Sequence, residues 1–182
     1  MLPGTPISAI GILLPGRPGA GKSTIARRLA DWRREEGIDV SGSHTLGIRD
    51  GGRRRGFSVE GLGGERGVLA HVELPGPPRG GRYGVDLAAL EQLVIPALED
   101  ASENGIVIVD ELGKMELASR TFRERIKALL NRPVPVVATM QSASHLFTDA
   151  LKRRSGIETL HPTHATRDDL PQAFAQRPRS AR

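Results

Sequence analysis

The run Gly16-Arg17-Pro18-Gly19-Ala20-Gly21-Lys22-Ser23, followed by Thr24, fills every fixed position of the pattern G-x-x-x-x-G-K-[ST]. That pattern asks for a particular context: a buried strand before it and a helix opening behind it. The apolar stretch from Ile7 to Leu14 is short enough to be such a strand. Behind the loop, Ile25, Leu29 and Trp32 recur at i, i+4 and i+7, so the spacing predicts a helix running to about Glu36. Glycines let the backbone wrap an anion closely and take positive φ without a Cβ penalty. The helix that starts near Lys22 adds the positive end of its dipole. The expectation is a phosphate cradle formed by residues 16–24, with Lys22 reaching the β- and γ-phosphates and the Ser23 hydroxyl ligating Mg²⁺.

Composition narrows the rest. A chain of 182 residues with 38% hydrophobic content is long enough for one well-packed domain. It has no cysteine, which excludes disulfides and thiolate metal sites. No apolar run approaches the roughly 18 residues of a membrane span. The first apolar stretch lacks a basic leader and feeds straight into the loop, so no signal peptide is read there and the cytoplasm is expected. The net charge of +5 opens the possibility of a nucleic-acid partner through Arg53-Arg54-Arg55. No aromatic residues interleave with those arginines, so base stacking is poorly supplied and such a partner is not favoured. The histidines offer no zinc spacing: His161 and His164 lack cysteine or acidic companions.

Strand and helix patterns then alternate along the chain, which defines an α/β domain over residues 1–176 with a loose basic tail at 177–182. Gly37 reads as the stop of the first helix and Ile38–Ile48 as a strand. Residues 47–84 hold 12 of the 22 glycines and read as a hairpin insert beside the phosphate loop. Asp86 caps a helix whose apolar face is Leu87, Leu90, Val94, Ala97 and Leu98, closing at Asn104-Gly105, with a kink or break expected at Pro96. A helix follows over Ser119–Asn131, with a capping box expected from Thr121 and Glu124. Val134–Met140 is a second buried strand; Ser144–Arg154 is helical, Ile157–Leu160 a short strand and Arg167–Gln176 a last helix.

The all-apolar, β-branched run Ile106-Val107-Ile108-Val109 has no alternation, as a parallel strand covered on both faces requires. It ends in Asp110-Glu111. Ligands gather at the carboxyl ends of parallel strands, so Asp110 is expected to share the Mg²⁺ with Ser23. Glu111, immediately after it, is placed to orient or deprotonate an attacking water.

The wider phrase from Val109 to Leu117, Asp110-Glu111-Leu112-Gly113-Lys114-Met115-Glu116 at its heart, is more particular. It resembles the signature of the small nucleoside-triphosphatase family first described from thermophiles, also called the cancer-related nucleoside-triphosphatase family. Arg49, Gly52, Arg54, Gly56 and Phe57 fall where that family has a basic R-x-x-G-x-R-x-G-F hairpin, and Gly81 to Asp86 is similar to its GxYxVD phrase. The resemblance spans roughly residues 7 to 170. It implies a P-loop NTPase (RecA-like) fold, a mostly parallel sheet flanked by helices, and a monomer that hydrolyses the terminal phosphate of ATP, GTP, CTP and UTP with Mg²⁺ and little choice of base. It also implies that Lys114 approaches the phosphates and that Arg167, in the loop after the last strand, touches the nucleotide. Glu116 matches the phrase and is expected in a structural ion pair. The chain departs from the pattern at Gly47, where an acidic residue is usual, and at Thr166, where asparagine is usual.

Phosphoryl transfer is helped by a further cation on the transferring group, and Arg49, Arg54 and Arg82 are the candidates in the glycine-rich segment. If none of them docks, turnover is slow. Two other readings compete with hydrolysis. A kinase of the same fold would use the glycine-rich segment to bind an acceptor hydroxyl, and a nucleotide-dependent switch or adaptor would have little chemistry of its own.

Overall fold

The computed structural model describes residues 11–163. The expected strand residues before Gly11, the helix over Arg167–Gln176, the tail, Thr166 and Arg167 lie outside them. The chain runs β1 (Gly11–Gly16), α1 (Lys22–Glu35), β2 (Val40–Asp50), β3 (Arg53–Gly61), β4 (Arg66–His71), β5 (Arg79–Gly80), β6 (Tyr83–Val85) and α2 (Leu87–Glu99). It continues through β7 (Ile106–Leu112), a 3-10 turn (Glu116–Ala118), α3 (Arg120–Leu129), β8 (Val136–Gln141), α4 (Leu146–Lys152) and β9 (Ile157–Thr159).

The nine strands of the described residues form one sheet in the order β5-β6-β4-β3-β2-β7-β8-β1-β9. From β2 to β9 the neighbours are parallel; from β2 to β5 they are antiparallel. The α/β class follows from the pleat. On β7, Ile106 and Ile108 pack with Ile25 and Leu29 of α1, while Val107 and Val109 pack with Leu90, Val94, Phe122 and Ile126 of α2 and α3. Successive residues of a strand face opposite ways, so only a run that is apolar at every position can line both cores. β1 divides in the same manner: Ile12 and Leu14 face α1, Leu13 the other layer.

The glycine-rich segment forms the expected antiparallel hairpins, and these continue the main sheet as its antiparallel half. β2 pairs parallel with β7 from Val40 to His44 and antiparallel with β3 from Ser43 to Asp50. Its last six residues, about 20 Å at the usual rise per residue, run on beyond His44, the register partner of Asp110. They carry the β2–β3 turn past the end of the parallel strands as a wing. Gly42 is required where β2 meets β7: its φ is +114° and a Cβ there would lie 1.9 Å from the Ile108 carbonyl oxygen.

Two local expectations are corrected. Of the kink or break expected at Pro96, the break does not occur: α2 continues through Pro96 to Glu99 and ends ahead of Asn104-Gly105. Pro96 and Gln92 are exposed, so the carbonyl that loses its intrahelical donor faces water, and the helix survives. The cap of α3 is Ser119, whose hydroxyl accepts from the Phe122 amide at 2.9 Å; Glu124 pairs instead with Arg120 at 2.8 Å. The Asp86 cap stands, its carboxylate accepting from the Ala89 amide at 2.9 Å.

Candidate active site

The site assembles where β1, β7 and β8 end. β1 delivers the chain into the loop, and Gly19 and Gly21 take φ of +82° and +86°, values that side-chain-bearing residues rarely adopt. Among the described residues no side chain caps α1 at Gly21, so the first turn of that helix opens toward the loop without a protein acceptor. A Cβ on Gly16 would press on the Lys22 Cδ at 3.1 Å, so glycine there gives the lysine stem room. Arg17, Pro18, Gly19 and Thr24 are exposed, and Ala20 is half-buried.

Lys22 is buried, and its ammonium donates to the carbonyls of Gly16 at 2.9 Å and Arg17 at 3.2 Å. It lies 3.9 Å from Glu111 Oε2. One residue on, Ser23 donates its hydroxyl to Asp110 Oδ1 at 2.9 Å. The two motifs therefore meet at one point, as expected, although β8 stands between their strands.

Asp110 shares the parity of Ile106 and Ile108 and so points to the α1 side of the sheet. It is 2% exposed. Thr139, fully buried and on the matching parity of β8, donates to the same Oδ1 at 2.6 Å. His44 Nδ1 stands 3.9 Å from Oδ2. Burial pushes the His44 imidazole below its usual pKa, against the pull of the Asp110 carboxylate. Oδ2 itself is buried without a hydrogen-bond partner among the described residues. An orphaned carboxylate oxygen beside a serine hydroxyl suits a hard cation that accepts oxygen ligands, and the all-oxygen donor set fits Mg²⁺. Among the described residues no cluster of three or more His, Cys, Asp or Glu could hold a metal ion. Mg²⁺ sites commonly pair one carboxylate with substrate oxygens rather than use such a cage.

Glu111 sits at the rim, a quarter exposed, with Oε1 accepting from the Gln141 amide at 3.2 Å. Lys114 is exposed beside a small depression it shares with Gln141. Glu116 corrects the expectation of an ion pair. It is 3% exposed, accepts from the Thr45 hydroxyl at 2.8 Å, and burial pushes its carboxyl up to about 7. The three wing arginines are engaged with the wing itself. Arg49 donates to the Gly52 carbonyl, Arg54 stacks on Phe57, and Arg82 donates to the Arg54 carbonyl and lies over Tyr83.

Beside the loop lies an open cleft of about 440 Å³, walled by Pro15 to Ala20 with Ser142, His161 and Pro162. Sequence reasoning passed over Thr139, Gln141 and His44. A signal existed for the first two: both are polar residues at the carboxyl end of an otherwise buried apolar strand.

A phosphate loop opening a helix, met at the carboxyl ends of the parallel strands by an acid pair, defines a P-loop nucleotide-binding α/β protein. Residues 11–175 match the family model described as NTPase. The chain is 39% identical over 160 residues to the nucleoside-triphosphatase THEP1 of Thermotoga petrophila, covering 87% of each. It is 32% identical to the human cancer-related nucleoside-triphosphatase, covering 87% of this chain and 91% of that one. Among solved structures it resembles the crystal structure of THEP1 from Aquifex aeolicus, with a TM-score of 0.79, 28% identity, and 90% and 96% of the two chains covered. The solution structure of the human protein gives the same TM-score at 30% identity, with 96% and 98% covered. The chain belongs to this nucleoside-triphosphatase family. Among the described residues no helix is long and apolar enough to cross a membrane.

Proposed function

We propose that this protein is a Mg²⁺-dependent nucleoside-triphosphate phosphohydrolase that splits the terminal phosphate from ATP, GTP, CTP and UTP with little base selectivity and slow turnover. The reading is carried by one arrangement: the Ser23–Asp110 contact at 2.9 Å beside the Lys22–Glu111 contact at 3.9 Å. It supports a polyphosphate lying along the loop, its terminal group between Lys22 and Glu111.

Ser23 Oγ and Asp110 would hold Mg²⁺, which would supply positive charge to the bound phosphate chain. Thr139 keeps the Asp110 carboxylate fixed. The loop amides and the Lys22 ammonium bind phosphate oxygens and stabilise the charge that develops on them. Glu111 accepts a proton from water as the water oxygen bonds to the γ-phosphorus. The bond from that phosphorus to the β,γ-bridging oxygen breaks, and the diphosphate leaves with the electron pair. Gln141 orients Glu111 by its hydrogen bond.

Slow turnover is supported by the wing arginines, each bound to wing groups rather than to the loop; an arginine delivered to the transferring group is worth about 10³- to 10⁵-fold. Phosphate release from the four triphosphates, with and without Mg²⁺, tests the reading. Comparable, metal-dependent release from all four is expected. Release that appears only on adding an acceptor alcohol would make the protein a kinase, and nucleotide binding without release would make it a switch.

A further inference from the structure

Glu116 is a buried carboxyl that the reaction above does not use. It lies in the 3-10 turn after β7, and the Cβ that Gly113 lacks would fall 2.7 Å from Glu116 Oε2 and 2.9 Å from Glu111 Oε1. Both carboxylates therefore border the space that a side chain on Gly113 would fill. Oε1 of Glu116 is satisfied by Thr45, but Oε2 is buried with no hydrogen-bond partner among the described residues. An unpaired buried oxygen is costly unless it gains a proton or a partner.

Resting on the hydrolase reading, we propose that Glu116 is a positioning residue acting through Glu111: its Oε2 holds a proton on the side facing Glu111 Oε1, and so fixes the carboxylate that receives the proton of water. A carboxyl oxygen excluded from solvent and left without a donor favours the protonated form of its own group, Glu116. The upward shift of Glu116, caused first by burial and reinforced by Glu111 and Asp110, agrees with the geometry. The surrounding charged groups do not supply an alternative partner. His44 on β2 turns to Asp110, Glu91 on α2 takes the Ser119 hydroxyl, and Arg123 on α3 donates to the Leu117 carbonyl. Through Thr45, the same carboxyl ties the root of the wing to the acid strand.

The test compares wild type, Glu116→Ala and Glu116→Gln by steady-state phosphate release from ATP with Mg²⁺ between pH 5.5 and pH 9, roughly spanning the ordinary titration range of a perturbed carboxyl, with ATP binding followed by calorimetry. Glu116→Ala is expected to lower kcat by about 10- to 100-fold, the scale of a misplaced catalytic group, with ATP affinity unchanged. Glu116→Gln offers an amide donor toward Glu111 and an acceptor to Thr45. It should keep most of the wild-type kcat and lose the fall in kcat that wild type shows as pH rises through about 7. Wild-type kcat in Glu116→Ala, equal losses in the two variants, or an unchanged alkaline fall in Glu116→Gln would each overturn the assignment while leaving hydrolysis intact. A wild-type protein that releases no phosphate would overturn the hydrolase reading and this one with it.

Discussion

Ser23, in the first turn of α1, and Asp110, near the end of β7, are 87 residues apart in sequence and 2.9 Å apart in space. Neither residue says anything about phosphate chemistry alone. Brought together with Lys22 and Glu111, they put a hydroxyl, an ammonium and two carboxylates at one point, the arrangement on which the proposed hydrolysis rests.

Removing the ammonium should be severe. Lys22→Ala is expected to lower kcat by about 10²- to 10³-fold, the usual cost of one preorganised electrostatic contact. Triphosphate binding should weaken in parallel, because the same ammonium contacts the ground state. Phosphate release and calorimetric affinity, measured on one preparation, check both.

Glu111→Gln separates binding from chemistry. The amide keeps the shape and a hydrogen-bonding oxygen but cannot take a proton. Nucleotide affinity should stay near wild type while kcat falls by about 10²- to 10⁴-fold, the range of general-base catalysis. Undiminished hydrolysis would remove Glu111 from the mechanism.

Thr139→Val deletes the 2.6 Å hydrogen bond to Asp110 without altering side-chain shape. The carboxylate then loses one of its anchors. The Mg²⁺ concentration for half-maximal activity should rise about 10- to 100-fold, as for other groups that orient a ligand, and saturating Mg²⁺ should restore most of kcat. A half-maximal concentration unmoved in a Mg²⁺ titration would show that Asp110 needs no such support.

Glu116 also makes stability depend on pH. Its carboxyl is raised from 4.5 to about 7 in the folded protein. Between those values the native state binds more protons than the unfolded one, so stability is fullest below about pH 4.5 as far as this group is concerned. It falls as pH rises toward 7, by up to about 3 kcal/mol. Denaturant midpoints measured across that window in wild type and Glu116→Gln should converge or diverge accordingly: the wild-type decline attributable to this group disappears in the variant.

Phe122 tests the packing that holds the acid strand from behind. It is 1% exposed in the core under α2, α3 and β7. Phe122→Ala should cost about 3–5 kcal/mol, read as a lower denaturant midpoint with little change in the slope. The active-site residues themselves should keep their geometry in whatever fraction remains folded.

The local order of this protein is written along the chain. Gly16 to Ser23 dictate the loop because glycines at positions 19 and 21 take the positive φ that its turn requires. The unbroken apolar run Ile106–Val109 dictates a strand covered on both faces, because every position must find a hydrophobic layer. Asp110 and Glu111 are legible for the same reason, as charges placed where burial stops. Other features depended on which elements became neighbours. Thr139 reaches Asp110 only because β8 is inserted between β1 and β7. Glu116 loses the solvent that would keep it charged only because the turn after β7 folds back against Thr45 at the root of β2. The glycine-rich segment became a wing of the main sheet because β2 offers one edge to β7 and the other to β3, a choice among pairings that no periodicity records. Periodicity and residue type fix which face of an element is buried; only the assembled sheet fixes what that face is buried against.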